Sequence, residues 1–374
     1  RQRGGNTTRI QIGDTSMRTR LLSTRNAMAS GIALALGCAF VTATQAAVII
    51  PEKSGFSGYV NLGAGGVSVK SNMMASIING KVDVGDKTIK NLTDSPNSSE
   101  GGAIPAVNFE LSYTFASTRT QLYLGNLLEN YLSMEMNTLA GIRQDIGNAG
   151  NIGAAFTTTS VDTQVWSDPY LTDAKRKDTD RTAQGFNVYW QQIMRSGLEL
   201  KYSLNDIDID KERSGESLAL STAQRKLLDR NGDVYRYTMS YEFASDDKRH
   251  IVTPSIAYVD RDLDGKAMAN DGGVAALNYI YQYNNHWSYV VNATYGDFDY
   301  KETNPIYGKE DSSNSYGISG TVFYSEPFGW KHWSFNATAG YYEEDNDIDF
   351  YDTEVGIVLF AMLQIGRASC RERV

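Results

Sequence analysis

Residues 107 to 115 read VNFELSYTF, with Val107, Phe109, Leu111, Tyr113 and Phe115 apolar or aromatic and Asn108, Glu110, Ser112 and Thr114 polar. A period of two describes a β-strand whose faces meet different surroundings. The pattern returns in LSMEMNTLAGI (132–142), FNVYWQQ (186–192), LELKYSL (198–204) and VYRYTMSYEF (234–243). It continues through LNYIYQY (277–283), WSYVVNATY (287–295), SYGISGTVFY (315–324), HWSFNATAGYY (332–342) and EVGIVLFAML (354–363). A chain made of such strands has two solutions. It turns the apolar faces inward in a packed sandwich, or outward to lipid in a closed barrel.

The connections decide between them. Short turns at ASTRT, QDIGNAGN, QIMRSG, ASDDKRH, YNNHW and EPFGWKH alternate with longer polar stretches at 71–104, 161–185, 206–233, 260–272 and 301–313. Regular alternation of this kind marks a barrel with short periplasmic turns and long extracellular loops. Aromatic residues near the strand ends, such as Tyr241, Phe243, Trp287 and Tyr289, fit rings at the two bilayer interfaces. The expected fold is all-β, a transmembrane antiparallel β-barrel of about fourteen strands, with twelve as the alternative and with long acidic extracellular loops. The apolar Val107 face then meets lipid.

The ends read differently from the middle. Met17 is followed by Arg18, Arg20 and Arg25, then by GIALALGCAFV and TATQA, the layout of a secretory signal peptide over 17–46. Residues 1–16 read as translated upstream sequence. IGRASCRERV, residues 365–374, resembles a translated sequencing adapter. Residues 364–374 are therefore read as an artefact, and 47–363 as a barrel shortened at its C-terminal end. Both cysteines, Cys38 and Cys370, fall outside that barrel, which removes disulfide and thiol chemistry. The formal charge of the whole chain is −9, and the leader contributes more bases (Arg1, Arg3, Arg9, Arg18, Arg20, Arg25) than acids (Asp14). Such an acidic barrel is a poor nucleic-acid binder. Its expected partners are outer-membrane lipid and lipopolysaccharide, with periplasmic chaperones and the barrel-assembly machinery during export.

The stretches FSGYVNLGAG, VWSDPYL, DIDIDKE, LLDRNGD, NPIYGK, PFGW and IDFYDTE resemble a family of Gram-negative outer-membrane proteins of unknown function, common in marine gammaproteobacteria. The resemblance runs over essentially all of the mature chain. It implies a β-barrel in the outer membrane and brings no functional residues with it. Such barrels commonly end in an aromatic residue, which this sequence lacks.

Polar strand faces should line the lumen, because ionised side chains cost several kcal/mol at the lipid midplane. The pore-lining candidates are Glu110, Glu135, Arg143, Glu199, Lys201, Arg236 and Glu242, joined by Asn108, Asn137, Asn278 and Asn292. A salt-bridged plug of the same side chains is the competing reading. The connection 161–185, with Trp166, Tyr170 and the run DAKRKDTDR, is the candidate for a constricting loop. In DRDLDGKAMAND, Asp260, Asp262, Asp264 and Asp271 have the spacing of a D-x-D-x-D-G calcium loop. Asp271 stands where a longer bidentate glutamate belongs, so solvated loop acids are the plainer reading. Beyond that possible Ca2+, no cofactor is expected. His250, His286 and His332 each follow a short turn, away from any nucleophile, and no GxSxG occurs, which argues against an enzyme. The expected function is a porin-like outer-membrane channel for small hydrophilic solutes. The alternative is a closed structural or surface-interaction barrel whose acidic loops bind divalent cations or lipopolysaccharide.

Overall fold

In the computed structural model, which describes residues 50–130 and 135–367, fourteen long strands form one antiparallel ring. In chain order they are β1 (Gly55–Ser71), β2 (Glu100–Phe115), β3 (Thr120–Asn130), β4 (Glu135–Asp145), β5 (Asn151–Val161), β6 (Asp178–Gln191) and β7 (Leu198–Ile209). The second half comprises β8 (Gly232–Tyr241), β9 (His250–Leu263), β10 (Asn270–Gln282), β11 (Trp287–Tyr300), β12 (Ser312–Ser325), β13 (Trp333–Asn346) and β14 (Thr353–Arg367). Each strand pairs with its sequence neighbours. β1 closes the ring by pairing with β14, from Ser57↔Arg367 to Ser71↔Thr353, and on its other edge with β2. Every wall strand thus has two partners, and no long edge is left to aggregate. The count is fourteen, not twelve.

The expected signal peptide and upstream segment lie outside the described residues, as does the tail from residue 368. Gln364 to Arg367 continue β14 opposite β1.

One end of the barrel carries the short turns. At two of them, Gln192/Met194 and Glu326/Phe328, paired left-handed residues reverse the chain. The other end carries the long connections at 72–99, 162–177, 210–231, 264–269, 301–311 and 347–352. Within 210–231 lies one helical turn, Thr222–Lys226, started by a reciprocal Ser221–Gln224 capping box.

Side chains alternate across the wall as the sequence predicts. Val107, Leu111 and Phe115 are exposed on the outer face, while Asn108, Ser112 and Thr114 are buried on the inner one. Two levels of outward rings border the apolar band. Trp287, Tyr289, Tyr241 and Phe243 lie toward the turn end, and Tyr295 and Tyr316, 5.3 Å apart, toward the loop end. Trp287 and Tyr295 are eight residues apart, about 26 Å along a strand rising ~3.3 Å per residue. A tilt of about 40° brings that to roughly 20 Å, close to the ~25 Å apolar band of outer-membrane barrels.

Candidate functional site: a lined lumen under a loop cap

The inner face of β2 to β8 is polar and charged. Arg143 on β4 reaches past β3 to Glu110 on β2 at 2.5 Å, with 4 % and 11 % of the two side chains exposed. Its Nε donates to Gln121 Oε1 at 2.6 Å, and the guanidinium lies 4.6 Å from the centre of the Tyr123 ring. Gln121 in turn donates to Ser112 Oγ and Thr114 Oγ1. Tyr123 and Tyr189 approach each other over β4 and β5, with hydroxyls 3.4 Å apart. Their rings lie on inward glycines. A Cβ on Gly141 would come within 2.5 Å of Tyr123 Cζ, and one on Gly153 within 2.2 Å of Tyr189 Cζ. Glu199 accepts from Gln191 Nε2 at 3.2 Å, and Lys201 and Glu242 lie within its electrostatic range. Arg236 faces inward on β8, between the outward Tyr235 and Tyr237. Of the seven lining candidates, Glu110 and Arg143 are joined directly; Glu199, Lys201 and Glu242 form a second group; the side chain of Glu135 lies outside the described residues.

Asn108 donates to the carbonyl of Asn126, and Asn278 bonds Asn292 at 2.5 Å. Polarity does not extend around the whole ring, however. Ile280, Val290 and Phe323, with Ile251, form an inward apolar cluster on β9 to β12. Val67, Val69, Tyr342, Val355 and Ile357 form another toward the loop end, where Met74, Ile77 and Val84 of the 72–99 connection pack on them.

The long connections do not stand apart in solvent. They share one apolar cluster built from Ile89, Tyr170, Leu228, Met268, Ile348, Phe350 and Tyr351, seated on Ala183, Ile207 and Leu263 of the inner wall. The connections holding Ile89 and Leu228 leave the ring after β1 and β7, nearly half its circumference apart. Tyr170 and Tyr351, whose hydroxyls touch, sit in connections that leave after β5 and β13, equally far apart, so the loops meet across the mouth and cap it. Polar ties reinforce the cap. Tyr170 and Tyr351 hydroxyls are 2.7 Å apart, and Asn304 Nδ2 donates to Tyr351 at 2.8 Å. Arg176 is buried and donates to the carbonyls of Asn72, Pro169 and Asp86. Burial lowers it to about 10, against the pull of Asp86 and Asp168, so it remains charged at neutral pH. Arg230 pairs with Glu212 at 2.7 Å inside the cap. Asp311 Oδ1 accepts the amides of Ser312 and Ile348, tying 301–311 to 347–352. Burial raises the Asp311 carboxyl to about 6.

The profile of the family described as "Protein of unknown function (DUF2860)" matches residues 55–363. The chain belongs to that family. Among curated proteins none matches significantly. Solved structures that resemble this DUF2860 barrel do so at low identity. The CymD monoaromatic hydrocarbon channel is 11% identical over 83% of this chain and 89% of that one, with a TM-score of 0.43. A Pseudomonas aeruginosa FadL homologue is 10% identical, with coverage of 89% and 96% and a TM-score of 0.41. The outer-membrane channel DcaP of Acinetobacter baumannii is 9% identical, with coverage of 84% and 97% and a TM-score of 0.44.

The candidate calcium loop takes another form in this DUF2860 member. Asp260 and Asp262 belong to β9 and Asp271 to β10, all on the outer face; Asp264 alone lies in the turn. Lys301 reaches Asp260 at 2.5 Å, and Lys266 reaches Asp262 at 2.6 Å. Among the described residues no three His, Cys, Asp or Glu side chains gather as a metal ion requires. The strand ends instead set carboxylates side by side, as Asp206↔Asp233↔Asp262, Asp260↔Asp271↔Asp299 and Glu343↔Glu354. Directly opposed like charges destabilise a sheet, and exposure to water limits the cost. The histidines lie at the turn end, where His250 Nδ1 meets Tyr279 Oη at 2.8 Å and His286 Nδ1 meets the Ser325 carbonyl at 2.9 Å.

Proposed function

We propose that this protein is an outer-membrane channel for small hydrophilic solutes, gated by the folded loops at its outer mouth. The observation that carries the reading is the division of the wall: apolar side chains outside, and Glu110, Arg143, Glu199, Lys201 and Arg236 inside. Eight-stranded barrels are filled by their own side chains and sixteen or more strands leave a channel, so fourteen strands give room for a solute path. On this reading the turn end is periplasmic. The acidic strand ends stand at the level of lipopolysaccharide headgroups, with divalent cations between them. Export would draw on periplasmic chaperones and the assembly machinery.

The loops that cross the axis favour a second reading, a permanently closed surface barrel. Single-channel recording of refolded protein separates the two. The wild type should give rare or brief conductance steps, and Tyr170→Ala with Phe350→Ala should raise the open fraction at least tenfold by loosening the cap. Silence from both proteins, each shown to be folded by its heat-modifiable gel migration, would defeat the channel reading in favour of the closed barrel.

A further inference from the structure

Strands β6 to β9 separate charge across the wall. Their outward positions near the loop end carry Asp178, Asp180, Asp206, Asp208, Asp233, Asp260 and Asp262; their inward positions carry Arg181, Arg236 and Arg261, with Glu199 and Lys201 nearer the turns. Two of the arginines are neighbours. The pairings Val234↔Arg261 and Arg236↔Val259 make Arg236 and Arg261 diagonal neighbours on one face, about 7–8 Å apart at the backbone. Arg181 stands three strands from β9, yet Arg261 lies within its electrostatic range, as does the cap residue Arg230. Arg230 is held by Glu212 and by the carbonyls of Trp166 and Ser167. The Arg261 guanidinium lies 5.5 Å from the centre of the Phe298 ring and is also within range of Tyr300 and Tyr342. On the far wall Glu344 is held by Ser313 Oγ at 3.1 Å.

Gathering like charges under an apolar cap opposes folding. Guanidinium groups are planar forks whose donors match the two oxygens of a carboxylate or phosphate, and clusters of them recognise such groups. Near the loop end these four strands turn aspartates outward and arginines inward, which presents anions with a repelling rim and an attracting patch of inner wall.

We propose that Arg181, Arg236 and Arg261 form an oxyanion-binding station beneath the cap, taking solutes that bear carboxylate or phosphate groups. Phe298, Tyr300 and Tyr342 supply the aromatic side of the station. As a statement about transported solutes it rests on the channel reading; as a binding site it stands without it. The station would hold an anion between entry and release, and its three charges would favour anions over cations in any current.

The test uses full-length refolded protein with citrate and inorganic phosphate as probes and chloride as the control, at constant ionic strength. Binding is read by thermal unfolding in detergent, and ion preference by the reversal potential across a KCl gradient. Citrate and phosphate should raise the unfolding temperature where chloride does not. Arg261→Gln with Arg181→Gln should weaken citrate binding at least tenfold. Arg261→Lys keeps the charge without the fork, and should retain anion preference while binding citrate more weakly. Lys301→Gln, on the outer rim, should bind citrate as the wild type does. Heat-modifiable migration certifies the fold of each variant. Equal effects of citrate, phosphate and chloride, or undiminished binding by the double variant, would overturn the station. If conductance steps are seen without either binding or anion preference, the station falls and the channel stands. If citrate binds but no steps occur, the channel reading falls and the station stands.

Discussion

Asp311 shows what a single buried carboxyl does to the cap. Its Oδ2 is buried without a hydrogen-bond partner, while Oδ1 takes two amides. Around it lie Asp347, which raises its affinity for protons, Lys309, which lowers it, and the phenols of Tyr300, Tyr307 and Tyr351. Because burial lifts the carboxyl from 3.8 to about 6, the closed cap binds the proton more tightly than an opened, hydrated one. Acidification through that window therefore stabilises closure, by at most about 3 kcal/mol at 1.36 kcal/mol per unit. Hydrogen exchange at the Ile348 and Ser312 amides, corrected for intrinsic rate, should show greater protection at pH 5 than at pH 7.5. Asp311→Asn should abolish the difference, and a wild type with equal protection at both values would contradict the argument. The sequence placed Glu110 and Arg143 on the inner face through the period of two. It did not reveal that they pair, because the partners lie on strands separated by β3. The glycines under Tyr123 and Tyr189 were equally hidden, since in a sequence a glycine that seats a ring looks like one that makes a turn.

Along a single strand the polarity reverses. In β7 the lower half sets Leu200 and Tyr202 outward and Ser203 inward, whereas the tip sets Asp206 and Asp208 outward and buries Ile207 and Ile209. β11 does the same with Asp297 and Asp299 around Phe298. Period two persists through the reversal, but a reading that seeks apolar-out strands stops where the apolar residues change sides. Hence the sequence boundaries place 206–209, 260–263 and 270–272 in loops, while the structure continues the strands through them. The physical cause is a change of surroundings at one height: lipid gives way to water outside, and the lumen gives way to the cap inside. The same substitution should therefore have opposite consequences along β7. Leu200→Arg should cost about 2–4 kcal/mol of folding into vesicles, and Asp208→Arg close to nothing. Comparable losses for both, by urea titration of tryptophan fluorescence, would remove the boundary between them.

At the scale of the whole molecule, ring closure and strand number were legible because each strand pairs with its sequence neighbour and each turn announces itself locally. The cap was legible only as one expected constricting loop, 161–185, and not as a joint structure of several connections. Its apolar cluster gathers residues such as Ile89 and Leu228, which no local pattern links, and Tyr170 stood in the expected constricting loop without a sign of the partners it meets there. Arg176 within DAKRKDTDR likewise reads as one solvated charge among several, yet it ties two connections through three carbonyls. Arg176→Met leaves those carbonyls buried without their donor, a loss of about 2–4 kcal/mol. Trypsin should then cut within 162–177 at least tenfold faster, while the barrel keeps its heat-modifiable migration. Unchanged cleavage would mean that the cap holds without this tie.

The collar of outward aspartates on β6 to β11, with Glu343, Asp345 and Glu354 beyond it, gives the cylinder a waterline. Sinking by two residues per strand, about 5 Å after tilt, would drag carboxylates from eight strands into hydrocarbon together. Piston-like travel is thus closed to this protein, and any opening has to come from the lid.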